Sequence, residues 1–239
     1  MKTIKIFYNY SLGSFEKENV DCLPEDYFIE PKRYTADYDS GYQHSRCPAW
    51  KEYYKNTFTL YQQFPLKIKY DSDAKFLNTN LLLQDSFDRY FKIHNDWITG
   101  KYPEFQMFLS FVFWTEEKDI WIEQLHHPDM SHKGLDIVSG TFPLSVWERP
   151  LNLGVLLRKP DEEISLDRGT ALCNVRFTKN NHKDIMVKLS KKDVPGDIYK
   201  KISQNNEIKK WHSFGSWDLI KKRIDRSEKG KCPFSMFWN

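Results

Sequence analysis

Residues Gly140–Phe177, GTFPLSVWERPLNLGVLLRKPDEEISLDRGTALCNVRF, decide the fold class. They read as a strand, a sharp Arg149-Pro150 corner, a second strand, a charged turn and a third strand. At the third strand, Asp167-Arg168-Gly169-Thr170 makes the turn. Gly169 takes backbone angles that a side chain would resist, and a buried apolar run follows from Ala171. Strands joined by turns instead of helical crossovers make an antiparallel sheet, and this stretch is its expected core.

Working outward, Gln106–Trp114 (QMFLSFVFW) and Asp119–Gln124 (DIWIEQ) form the clearest strand pair, with Thr115–Lys118 as the expected turn. The first of these is apolar on both faces, which places it in the middle of a sheet. Thr3–Tyr10 alternates Ile4, Ile6 and Tyr8 against Lys5, Phe7 and Asn9, a first strand with one buried face. Ile185, Val187 and Leu189 alternate in the same way in a last strand. Thr57–Tyr61 and Pro65–Tyr70 read as a hairpin, and Lys75–Thr79 as another short strand. Between Leu81 and Trp97 the pattern fits helix or strand. Ser11–Gly41 reads as a long surface loop with short extended pieces. A short helix is expected from Pro48, with Ser45 as its cap and Trp50, Tyr53 and Tyr54 at helical spacing.

From Pro195 the periodicity turns helical. Ile198, Ile202 and Ile208 point inward in one segment, and Trp217, Ile220 and Ile224 in the next. The fold class is therefore mainly β: an antiparallel β-sandwich or a double-stranded, jelly-roll-like β-helix over residues 1–190. A basic helical C-terminal appendage, 191–239, packs on it.

Composition supports this class. Aromatics make up 16% of the chain, and they favour pleated, half-buried surfaces and thick cores between sheets. Net charge is only +3, too small by itself to imply a nucleic-acid partner. Twelve Lys or Arg against six acids between Lys191 and Lys231 nevertheless leave that segment at +6 and the rest at −3. Cys22, Cys47, Cys173 and Cys232 have no CxxC spacing, which argues against a structural zinc site and a redox pair. No apolar run approaches the roughly 20 residues of a membrane span, and the N-terminus lacks a signal peptide's apolar run. The expected setting is a reducing cytoplasm, the host's if the protein is viral, or the virion.

Motifs for phosphate handling (GxxxxGK[ST], GxGxxG), for serine hydrolases (GxSxG) and for metalloproteases (HExxH) are absent. Two clusters carry metal-ligand chemistry. His94-Asn95-Asp96 matches the HxD half of the facial triad that holds Fe(II) in oxygenases, with His182 as a distant third ligand. The Arg that would bind a 2-oxoacid does not follow closely, since the next one is Arg223. His126, His127, Asp129 and His132 form the densest group of potential ligands, suited to iron or zinc, although adjacent His residues point apart on an extended chain. Each cluster also reads as an ordinary solvated segment. Cys47 precedes a helix N-terminus, but no His is placed beside it to make a catalytic pair. No catalytic residue is assigned. Lys200, Lys201, Lys209, Lys210, Lys221, Lys222 and Arg223 would form the outward basic face of the tail helices. That face is a candidate surface for a partner protein or nucleic acid.

Two segments resemble uncharacterised proteins of large tailed marine bacteriophages. One contributes Cys47, Pro48, Ala49, Lys55 and Asn56; the other contributes Arg149, Pro150, Gly169, Leu172, Arg176 and Phe177. Thr170-Ala171 stands where that pattern has a Pro after the Gly. The resemblance covers about a third of the chain and implies a viral accessory or virion-associated protein with no established activity. The leading expectation is a non-catalytic protein that binds a host or virion partner through an exposed aromatic or basic surface. The alternatives are a cupin-like or 2-oxoacid-dependent oxygenase using Fe or Zn, and a nucleic-acid-associated factor.

Overall fold

The computed structural model describes residues 2–10, 28–34, 47–74, 76–80, 91–93, 102–144, 146, 148–179 and 185–202. These form fourteen strands in three sheets, with a few short helices. The chain runs β1 (Lys2–Tyr10), β2 (Lys32–Arg33), α1 (Pro48–Tyr53), β3 (Thr57–Tyr61), β4 (Leu66–Asp71), β5 (Phe76–Thr79), β6 (Phe91–Ile93) and β7 (Glu104–Trp114). It continues through β8 (Ile120–His126), α2 (Pro128–His132), β9 (Leu135–Val138), β10 (Gly140–Pro143) and β11 (Pro150–Leu157). Last come β12 (Ile164–Leu166), β13 (Ala171–Lys179), β14 (Ile185–Lys191) and a helix over residues 196–202.

The first sheet has the order β14-β1-β7-β11-β9, with β6 sharing an edge of β7. The second has the order β10-β8-β13-β3-β2, and a small third sheet is β12-β4-β5. The fold is mainly β and consistent with a sandwich; these pairings do not establish a jelly-roll order. One pair is parallel, β1 with β14, so the first and last strands lie side by side.

Strand existence follows the sequence pattern closely, but strand pairing does not. β7 and β8 are not a hairpin. The chain leaves the first sheet at Trp114 and enters the second at Ile120, through a turn in which Asp119 has φ +60°. From β7 to β11, consecutive strands alternate between the two larger sheets. The expected β3–β4 hairpin is likewise absent, since β4 belongs to the third sheet. The opening stretch carries four strands instead of three, because Ile164–Leu166 pairs with β4 before the Gly169 turn. One short extended piece expected within the 11–41 loop is described: Lys32–Arg33 pairs with β3.

One core results. Ile4, Ile6, Phe113, Leu153 and Val155 from the first sheet meet Phe58, Ile122, Val175 and Phe177 from the second, and Leu66, Ile68 and Leu166 from the third. Phe113 and Phe177 touch edge to face across the two larger sheets, centroids 5.4 Å apart. That is the geometry aromatic quadrupoles favour. β7 is central as its two apolar faces require: its second face places Val112 and Trp114 against Val194, Ile198 and Ile202. The expected helix after Pro195 thus covers the outer face of the first sheet. Residues beyond 202, including the expected second tail helix and Ile208, lie outside the described residues. No helix among the described residues is long and apolar enough to cross a membrane.

Candidate functional site

The segment that holds the His126, His127, Asp129 and His132 cluster is β8's last residue followed by a short helix. Pro128 occupies the first turn of α2, where a missing N–H costs nothing, and His127 caps it. The cap is the imidazole itself: the Asp129 N–H donates to His127 Nδ1 at 3.2 Å. Burial pushes the His127 pKa down, opposed by Asp129 and reinforced by His126. The neutral ring therefore accepts that hydrogen bond. Its 3.8 Å approach to the Asp129 carboxylate is not an ion pair at neutral pH.

His126 is committed too. The Ile137 N–H on β9 donates to Nδ1 at 3.0 Å, which leaves the ring proton on Nε2. Nε2–H then faces Ser131 Oγ at 2.7 Å, and Ser131 donates to Asp136 Oδ1 at 3.2 Å. Asp136 is held by Arg158, whose guanidinium lies over the Tyr102 ring at 4.7 Å. A serine, a histidine and an aspartate are thus in contact, but in the wrong order for nucleophilic catalysis. There the histidine must accept the serine proton and donate to the carboxylate. Here His126 donates to the serine, and its other nitrogen is filled by backbone. The chain of bonds ties β8, α2 and β9 together, joining the two larger sheets.

No group of three or more His, Cys, Asp or Glu among the described residues could hold a metal ion. His132 is on α2 and exposed. His94, Asp96 and His182 lie outside the described residues. Lys200 is exposed on the 196–202 helix, while Lys201 reaches the buried Glu148 at 3.7 Å and anchors that helix. Lys209, Lys210, Lys221, Lys222 and Arg223 lie outside the described residues. Cys47 is exposed and free; burial pushes the Cys173 thiol well up, so it is an inert core group. Cys22 and Cys232 are outside the described residues.

Sequence reasoning placed α1 correctly from Pro48 but did not identify what it builds. Cys47 occupies the cap position without a side-chain hydrogen bond. Trp50 and Tyr54 meet in a tilted contact at 4.6 Å, Tyr34 from the end of β2 lies 4.8 Å from Tyr54, and His127 meets Tyr34 edge-on at 5.9 Å. Tyr53 projects outward with 49% of its surface exposed. Beneath it, the Arg176 guanidinium sits 4.2 Å from the ring centroid and donates to the Tyr53 carbonyl at 2.8 Å. Glu123 on β8 takes the other edge of Arg176 as an ion pair. The helical spacing of the three aromatics was the available signal. The participation of Arg176 and Glu123 was not, since both come from distant strands.

A pocket at one end of the core is lined by Tyr61, Phe64, Met107, Phe111 and Leu172. Its glutamines are spent on backbone: Gln62 donates to the Phe64 carbonyl, and Gln63 donates to Tyr61 and Ile29. No known protein family and no characterised protein matches the sequence.

Proposed function

We propose that this protein acts by binding another protein, through the aromatic face of α1. The observation that carries the reading is the pairing of Tyr53 with Arg176. A half-exposed aromatic ring is held on a guanidinium that is itself fixed by Glu123 and a main-chain carbonyl. Tyr, Trp and Arg are the residues on which binding energy concentrates. A ring already immobilised before contact loses little side-chain entropy on binding. Two of the three imidazoles at the β8–α2 segment, His126 and His127, are engaged in structural hydrogen bonds, which weakens support for catalysis there. The resemblance to proteins of large tailed marine bacteriophages favours a host or virion protein as the partner.

A photo-crosslinking phenylalanine analogue at position 53 tests the proposal, with the same analogue at Lys67 on β4 as control. One discrete protein adduct is expected from position 53, absent from 67 and lost on Trp50→Ala. Equal labelling from both positions, or an adduct with nucleic acid alone, overturns it.

A further inference from the structure

Along β11, Leu151, Leu153, Val155 and Leu157 face the core. Two residues before this row, Arg149 continues it inward, and its guanidinium lies over the buried Phe142 ring at 4.6 Å. Glu148 takes the opposite direction and meets Lys201 of the 196–202 helix. It does not neutralise its neighbour. The Arg149 Nε is enclosed and has no hydrogen-bond partner, and the guanidinium makes no ion pair among the described residues. Three other arginines each have an oxygen within reach: Arg33 has the Val187 carbonyl, Arg158 has Asp136, and Arg176 has Glu123.

Buried cations are stable when an anion and hydrogen-bond acceptors replace the water they lose. A ring face replaces only part of it. Burial pushes the Arg149 pKa down to about 10, so the side chain keeps its charge at neutral pH. The residue as a whole is only half-buried, so part of its surface meets solvent although Nε itself is enclosed. We infer that Arg149, backed by Phe142, is the binding group of a site for a single oxyanion, a carboxylate or phosphate group. A planar guanidinium presents paired N–H groups that match two oxygens of either one.

The test measures thermal unfolding of the full chain against inorganic phosphate and against acetate, with chloride balancing ionic strength. Wild type is expected to gain a saturable rise of about 3–5 °C at ten times the half-saturating concentration of the anion it takes. A rise with phosphate alone assigns a phosphate ligand, a rise with acetate alone a carboxylate. Arg149→Met should lose the response while unfolding no lower than wild type in chloride, because an apolar side chain there buries no charge. Arg149→Lys should weaken the apparent affinity at least tenfold, having lost the planar fork. Should neither variant fold, the Nε–H cross-peak of Arg149 in the wild-type chain, followed by NMR through the same titrations, gives the reading directly. No saturable response in wild type, or a response retained in Arg149→Met, overturns the inference.

Discussion

The side-chain carbonyl of Asn56 accepts the backbone N–H of Val187 at 2.8 Å, and the same side chain donates to the Ile185 carbonyl at 3.0 Å. One amide thus presents to β14 the donor and acceptor that a neighbouring strand would present. Arg33 adds a third bond, to the Val187 carbonyl at 2.8 Å. Meanwhile the Asn56 backbone immediately precedes β3 of the second sheet, and its carbonyl accepts from Phe177 on β13. The residue therefore rivets the edge of the first sheet to the second. An open strand edge invites pairing with other chains, and this closes one.

Asn56 also has φ +60°, a left-handed conformation that Asn tolerates better than other residues with a Cβ. Asn56→Gly should keep the backbone and lose both side-chain bonds, costing about 2 kcal/mol. Asn56→Ala should cost about 1 kcal/mol more, because it adds the left-handed strain. Chemical denaturation checks the order, and Ala at least as stable as Gly would contradict this account.

Acid should weaken the joint between the sheets at His126. Burial pushes its pKa down, only partly opposed by Asp136. Its folded value is therefore below its unfolded one, and the unfolded chain binds the proton first as pH falls. The stabilisation is fully present above the ordinary imidazole range near 6.5 and is lost as pH falls through the lower folded value. His126→Asn keeps an acceptor for the Ile137 N–H without titrating, so it should flatten the decline between pH 7.5 and 5. Some slope should remain from His127, shifted in the same direction. Denaturant midpoints at the two pH values measure both effects.

At the turn before β13, Gly169 has φ +90°, and its N–H donates to Gln62 while the Gln62 N–H donates to Thr170, both at 2.8 Å. A Cβ here would meet only Ile29 Cδ1 at 3.7 Å, an ordinary contact. Gly169→Ala should therefore cost only the backbone strain, about 1–2 kcal/mol. Gly196→Ala, with open space around it, should not destabilise. Thermal melts of the two variants make the comparison.

The sequence by itself determined the longer strands, because period-two alternation is a local consequence of burying one face, while three-residue strands such as Ile164–Leu166 are too short to show it. Ile4, Ile6 and Tyr8 of β1 and Ile185 and Val187 of β14 are buried as their spacing requires. The two apolar faces of β7 put it in the middle of a sheet. Pro48 and Pro195 announced the helices that follow them. Partnership was beyond reach, because a hairpin and a crossing between sheets show the same alternation on either side of the same kind of turn. Only the tertiary structure decided that Trp114 and Ile120 belong to different sheets. It also showed His126 and His127 spent on backbone amides, Arg176 beneath Tyr53, and Arg149 half-buried over Phe142 with no ion-pair partner among the described residues. Each of these depends on what a distant strand places within a few ångströms, which no spacing along the chain encodes.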